Sequence, residues 1–412
     1  MFRKKSNSSS GTNFLIIGIA STILLLTFTI GIISIIQHKT NVLFYNLQQN
    51  IQTEIKKYLN EGEKKDKYNF IIADSTFSDK ETLKLFKKSE LVFGELDFRL
   101  LEFCNQNSKK LPNSFLDGMP TSIVESVQTK NSNLHYVPIL FDFYEIDINL
   151  PKFRNSGLEN INFMEDLIYF GKNSQNSDSP FVFAGKEPQE FLNIFGMFLE
   201  VYSSKQNYDS ACQKLYDAYK NGKSQEEKID NLEKVLTNLC TENGEFAKTI
   251  NILKNLYSEK LITEQVFTYD KNQLFLNLNN ENSAATFLRL SNHRSISRDK
   301  ILNFSSIYMP FVENSPNRYF CAPQIIVAKN KNRKKYDLLL EKLVVSNQTE
   351  FSTATGLAPA QRECVTADKQ SSDVRYWISA SKGPLMPLSC AIPHYDEQKF
   401  ITDFLKNLIS SN

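Results

Sequence analysis

Three carboxylates stand where apolar strand-like runs of this chain give out. Asp74 follows Tyr68-Asn-Phe-Ile-Ile-Ala73, Asp142 interrupts Tyr136-Val-Pro-Ile-Leu-Phe-Asp-Phe-Tyr144, and Glu187 follows Pro180-Phe-Val-Phe-Ala184. A carboxylate at a strand end accepts hydrogen bonds and can face a cleft, so these three suit a molecule that presents hydroxyl donors. Tyr144, Asn292, Arg294 and Trp377 are the residues that would add donors and flat faces. Each also has a plain structural use. Asp74 can cap the following turn, Glu187 with Pro188 can open a helix, Arg294 can be a surface charge at a hinge, and Trp377 can fill a core. Asp142 is the hardest to set aside, because a charge inside an apolar strand is costly unless it is paired or wetted.

Covalent chemistry finds little support. Four histidines are scattered, and no Ser-His-Asp order, G-x-S-x-G elbow, H-E-x-x-H helix or phosphate-binding glycine loop is present. Two carboxylates about 5 to 9.5 Å apart would serve glycoside hydrolysis, and Asp74, Asp142 and Glu187 are the ones that rival reading would use. Six cysteines, Cys104, Cys212, Cys240, Cys321, Cys364 and Cys390, follow no metal-ligand spacing. Cys212 and Cys240 flank one lysine-rich helical region and are the first pair to test for a disulfide, with buried free thiols as the other reading. Neither a cofactor nor a metal is expected.

The elements that must position these residues alternate. Strands are predicted at Asn41–Tyr45, Tyr68–Ala73, Tyr136–Tyr144, Pro180–Ala184, Leu274–Leu278, Thr286–Leu290 and Gln324–Ala328. Helical spacing marks Ile51–Leu59, Asn162–Phe170, Gln189–Tyr202, Tyr208–Lys220, Gln225–Cys240 and Glu245–Lys260, the last with a buried stripe of Phe246, Ile250, Leu253 and Leu256. The alternation argues for an α/β class with mostly parallel sheets. A chain of 412 residues exceeds what one core usually serves, so two lobes are expected. The net charge of +2, with both signs interspersed, leaves no electrostatic footprint for nucleic acid.

Phe14–Ile36 is an uncharged run long enough to cross a hydrocarbon core of roughly 30 Å. Arg3, Lys4 and Lys5 precede it, so residues 1–12 are read as a cytoplasmic tail, 13–37 as an uncleaved transmembrane anchor, and the rest as extracytoplasmic.

From Ile307 to Arg362 a proline-closed strand, a polar turn, a β-branched strand, a charged helix and the segment Thr355-Gly-Leu-Ala-Pro-Ala-Gln-Arg362 follow in order. This order resembles the extracellular solute-binding proteins of ABC importers, in their sugar-binding, maltose-binding-like branch. Upstream, Tyr68–Ser75 is similar to that family's strand beside the ligand, and Tyr136–Asp142 to its Y-P-I crossover. Asn162-Phe-Met-Glu-Asp-Leu167 resembles its T-W-E-E-L helix start, and Lys382-Gly-Pro-Leu-Met-Pro387 its late G-x-x-M-P segment. Glu245–Thr263 and Gln273–Leu290 resemble the helix and strand before the second crossover, at Asn303–Pro310.

Two departures stand out. The opening strand-helix unit is shortened to Val42–Leu59, and Asn279-Asn-Glu-Asn282 replaces an expected glycine. With Trp377 the single tryptophan, a stacking platform would come from Tyr or Phe.

The resemblance implies a two-lobed periplasmic-binding-protein-like fold with a hinge and an interlobe cleft, preceded by the one transmembrane helix. Residues 40–141 and 304–362 would form the N-lobe, and 142–303 with 363–412 a largely helical C-lobe. It implies capture of a small solute, a sugar, by a monomer that delivers it to permease subunits without covalent chemistry. Asp74, Asp142 and Glu187 would accept its hydroxyls, with Tyr144, Asn292, Arg294 and Trp377 around them. The rival is a homologue with a degenerate site, acting as a membrane-anchored sensor or scaffold.

Overall fold

The computed structural model describes residues 39–61, 67–128, 133–174, 179–293, 296–297, 299–312 and 319–411. The predicted anchor, its basic tail and Arg294 lie outside them, as does the polar turn near Glu313. Among the described residues, no helix is long and apolar enough to cross a membrane.

Strand β1 (Thr40–Tyr45), the helix Gln49–Asn60 and β2 (Tyr68–Ala73) open the fold as a complete strand-helix-strand unit. The helix buries Ile51, Ile55 and Leu59, the stripe expected from their spacing. Next come the helix Asp79–Lys88, β3 (Leu91–Glu95) and the helix Phe98–Asn107, in a stretch where the sequence reading placed no element. Strands β4 (Val137–Phe141), β10 (Gln324–Lys329) and β11 (Ala358–Pro359) complete a six-stranded sheet of order β11-β4-β10-β3-β1-β2. Strands β2, β1 and β3 are parallel, whereas β10 runs antiparallel to both β3 and β4. The sheet is therefore mixed rather than mostly parallel. The physical reason is that β10 returns from the other half of the molecule and enters from the opposite end.

The run read as one strand, Tyr136–Tyr144, breaks at Asp142 and Phe143. It continues as β5 (Tyr144–Asn149) in a second sheet, of order β6-β7-β5-β8, with β6 (Phe181–Val182), β7 (Ala285–Arg289) and β8 (Phe304–Ile307). The helices Pro188–Tyr202, Lys205–Asn221, Gln225–Leu239 and Ala247–Ser258 share one hydrophobic core with this sheet, close to where they were predicted. Phe246, Ile250, Leu253 and Leu256 are all buried, as expected. Leu274–Leu278 is a correction: it belongs to a helix, Lys271–Asn279. Leu274 and Leu278 are buried and Leu276 is exposed, so the alternating leucines mark one helical face. A third, two-stranded sheet pairs β9 (Phe320–Cys321) with β12 (Pro384–Leu385).

Each large sheet has its own hydrophobic core. The stretch 363–412 divides between them. The helix Lys369–Ala380 buries Val374, Trp377 and Ile378 in the core of the first sheet, whereas Tyr395–Ser410 buries Ile401, Leu405 and Ile409 in the helical half. The chain thus changes halves at Asp142–Phe143, again after β8, and a third time between Ile378 and Leu388. All six cysteines are free, so Cys212 and Cys240 are not paired.

Candidate functional site

A cleft of about 380 Å3 opens between the two halves. One wall is built from the carboxyl ends of the parallel strands. Asn46 and Gln48 follow β1, Asp74 and Ser75 follow β2, Glu95 ends β3, and Asp97 caps the helix after it. Strand ends of this kind expose backbone and short polar side chains at one edge of a sheet, the usual place for ligands in α/β folds. The opposite wall is the start of the helix Pro188–Tyr202, with Glu187 and Glu190, together with Lys271, Arg289, Ser389, Tyr395 and Gln398.

Arg289 holds the floor together. It ends β7 fully buried, with Nη1 3.2 Å from Glu95 Oε2 of the facing half and 3.7 Å from Asp142 Oδ2. Its Nε donates to the Tyr144 hydroxyl at 2.8 Å and lies 3.2 Å from Glu190 Oε1. Tyr144 in turn donates to Glu190 at 2.8 Å and accepts from Asn193 at 2.6 Å. Burial raises the pKa of Glu95 and of Asp142, and the Arg289 charge opposes it at both. Arg289 Nη2 is buried and has no hydrogen-bond partner.

The residues predicted from sequence separate into three groups. Asp74 and Glu187 line the cleft. Asp74 is exposed and accepts from the Thr76 backbone and hydroxyl, so it stabilises its turn while one edge faces the opening. Asp142 and Tyr144 lie beneath the floor. Asp142 accepts from Ser291 N at 2.8 Å, Ser291 Oγ at 2.7 Å and Gln48 Nε2 at 3.2 Å, which makes it the pin of the first crossover rather than a cleft-lining acceptor. Asn292 and Trp377 stand apart from the cleft. Trp377 is buried against Phe143 and Tyr308, with ring centroids 5.6 and 5.7 Å away, and fills the core of the first sheet beside the crossover.

Sequence reasoning missed Glu95, Asp97, Glu190 and Arg289. A signal existed for two of them. Arg289 ends an apolar strand as Asp142 does, and Glu190 sits in an otherwise apolar helix that buries most of its residues.

Beside the cleft the halves are tied by polar contacts. Asp79 Oδ1, at the start of the helix Asp79–Lys88, accepts from Arg99 Nη1 and from the Tyr219 hydroxyl, both at 2.9 Å, and lies 3.5 Å from His394 Nε2. Glu102 accepts from Lys220 at 2.6 Å and from the Tyr216 hydroxyl at 2.7 Å. Tyr216, Tyr219 and Lys220 belong to the helical half, so each pair spans the gap.

No protein-family model matches the sequence, and no curated protein does. Solved structures do match. MsmE, a binding protein of Bacillus subtilis in an open conformation, has a TM-score of 0.65 at 14% identity, covering 90% of this chain and 93% of its own. The bacterial solute receptor AcbH, which prefers β-D-galactopyranose, has a TM-score of 0.62 at 12% identity, covering 90% and 98%. A sugar transporter protein of Bacillus licheniformis in complex with stachyose has a TM-score of 0.56 at 12% identity, covering 90% and 97%. At these identities the likeness is one of fold. Over its described residues, the chain has the two-sheet, periplasmic-binding-protein-like α/β fold of extracellular sugar-binding proteins.

Proposed function

We propose that this chain is the extracytoplasmic substrate-binding component of an ABC-type importer, which captures a small carbohydrate between two lobes and delivers it to a membrane permease. The observation that carries this reading is the cleft. It lies between two separately packed halves, at the carboxyl ends of parallel strands, and its size of about 380 Å3 falls in the range of small-molecule sites.

In this reading residues 40–141 and 324–362, with the helix Lys369–Ala380, form one lobe, and 142–307 with Tyr395–Ser410 the other, the boundary falling after β8 because that strand pairs with β5 in the second sheet. Asp74 and Glu187, on opposite walls, accept hydroxyls, Arg289 holds the floor beneath them, and Tyr395 supplies the flat face. A ligand that touches both walls favours the closed state by its differential contacts, and the crossover segments absorb the change. The anchor at 13–37 keeps the monomer beside its permease. Binding and release require no cofactor and no covalent step.

A second reading, a sensor or scaffold that has lost its ligand site, is favoured by one feature. Tyr395 is the one aromatic ring lining the cleft among the described residues. The two readings separate in a calorimetric and thermal-shift screen of mono- and oligosaccharides against the detergent-solubilised full chain. A true ligand stabilises the fold by about 2.7 kcal/mol at 100 times its Kd. Glu187→Gln and Asp74→Asn should each weaken it by the roughly 1.5–3 kcal/mol of a hydrogen bond to a charged group. A folded chain that no sugar stabilises would favour the sensor or scaffold.

A further inference from the structure

Away from the cleft, β5 carries Glu145 and Asp147 two residues apart, and so on one face of the strand. The turn after β7 forms a short helix, Leu290–His293, that brings His293 to the same face. His293 Nδ1 lies 2.7 Å from Asp147 Oδ2 and 3.0 Å from Glu145 Oε1. All three side chains are 0% exposed. From β8, Ser306 Oγ donates to the other oxygen of Asp147 at 2.9 Å, the kind of outer hydrogen bond that fixes a metal-binding carboxylate.

Two features of this cluster are unbalanced. Neither Glu145 oxygen has a hydrogen-bond partner, and His293 Nε2 has none either, although every one of these atoms is buried. A single proton on Nδ1 serves Asp147 and leaves Glu145 facing the same nitrogen out of line. The second feature is charge. Two buried carboxylates face one imidazole, and among the described residues no Lys or Arg pairs with either acid. Buried charge is costly unless it is matched, and one imidazolium leaves an excess negative charge. A divalent cation in place of the shared proton closes both gaps, because it balances two carboxylates beside a neutral ring and gives Glu145 a partner.

The three ligand atoms lie within 4.8 Å of one another, and one nitrogen with two carboxylate oxygens is a donor set that suits zinc-like ions. We propose that Glu145, Asp147 and His293 form a buried structural site for a divalent first-row transition ion of the zinc type. Such an ion ties the helix Leu290–His293 to the second sheet, directly behind the first crossover. The same helix carries Ser291, whose backbone and hydroxyl hold Asp142. The metal therefore steadies the root of the hinge without touching the cleft. The sequence shows no motif for it, since the strand supplies an acidic pair and the histidine comes from an element far along the chain.

Metal content by mass spectrometry and thermal unfolding of the full chain, purified in detergent, test the site. About one zinc per chain should survive dialysis, chelation should lower the melting temperature, and zinc but not magnesium should restore it. Glu145→Gln and His293→Gln should lose both the metal and the zinc response. Wild-type chain that refolds in the presence of zinc without gaining metal or thermal stability would overturn the proposal, as would full metal retention in both variants. If neither variant folds, the chelation and zinc add-back on the wild-type chain decides.

Discussion

Arg289 concentrates the physics of the cleft in one side chain. It is buried among Glu95, Glu190 and Asp142, three acids that its removal would leave without their common counter-charge. Breaking a buried pair from one side costs about 3–5 kcal/mol, so Arg289→Met should lower the unfolding free energy measured by denaturant titration by an amount of that order. Arg289→Lys should recover only part, because an ammonium cannot reach Tyr144, Glu190 and Glu95 from one planar fork. An Arg289→Met chain as stable as wild type would show the network to be incidental. The rule that found Asp142, a charge inside an apolar run, applies equally to Arg289 and Glu190. They were passed over because a charge near the end of an element ordinarily reads as facing water. Asp74 was legible as a cleft-edge position for the converse reason, since strand ends in α/β folds converge there, whereas Glu187 reaches the cleft as the residue that opens a helix.

Among the elements the sequence hid, β3 owes its weak signal to Gly94. A five-residue run with a glycine near its end scores poorly as a strand. The fold nevertheless requires that glycine. A Cβ at Gly94 would stand 2.7 Å from Leu100 Cδ2 and 3.0 Å from the Tyr45 backbone oxygen, because β3 passes close to both β1 and the helix Phe98–Asn107. Gly94→Ala should therefore destabilise the first half by about 1–3 kcal/mol, the usual cost of overpacking, and equilibrium denaturation would measure it. Unchanged stability would mean that Leu100 moves aside freely. The helix Lys271–Asn279 carried a clearer but unread signal. Asp270 and Gln273 form a reciprocal capping box, which marks a helix start whatever the leucine spacing suggests.

At the scale of the whole molecule, the order of elements was largely legible, whereas the contacts that join the halves were not. Asp79 meets Tyr219, and Glu102 meets Lys220, across more than a hundred residues of chain, and no local pattern announces such pairs. Their titration offers a handle on how the halves meet. Burial acts to raise the pKa of Asp79, but hydrogen bonds from His394, Arg99 and Tyr219 outweigh it and hold the carboxyl well below its ordinary value. At Glu102 burial is likewise outweighed, by Lys220 and Tyr216. A carboxylate whose folded pKa is depressed adds stability that is complete above its unfolded pKa, about 4, and is lost as the pH falls through the folded value. Acid should therefore loosen the contacts between the halves while neutral pH keeps them. Small-angle scattering of the solubilised chain should show a growing radius as the pH falls below about 4, where the depressed carboxylates begin to lose their contribution. The double variant Asp79→Asn with Glu102→Gln should begin more open at neutral pH and change less on acidification, because its paired groups no longer titrate. Matching pH profiles for variant and wild type would mean that other acids, not these two, govern how the halves meet.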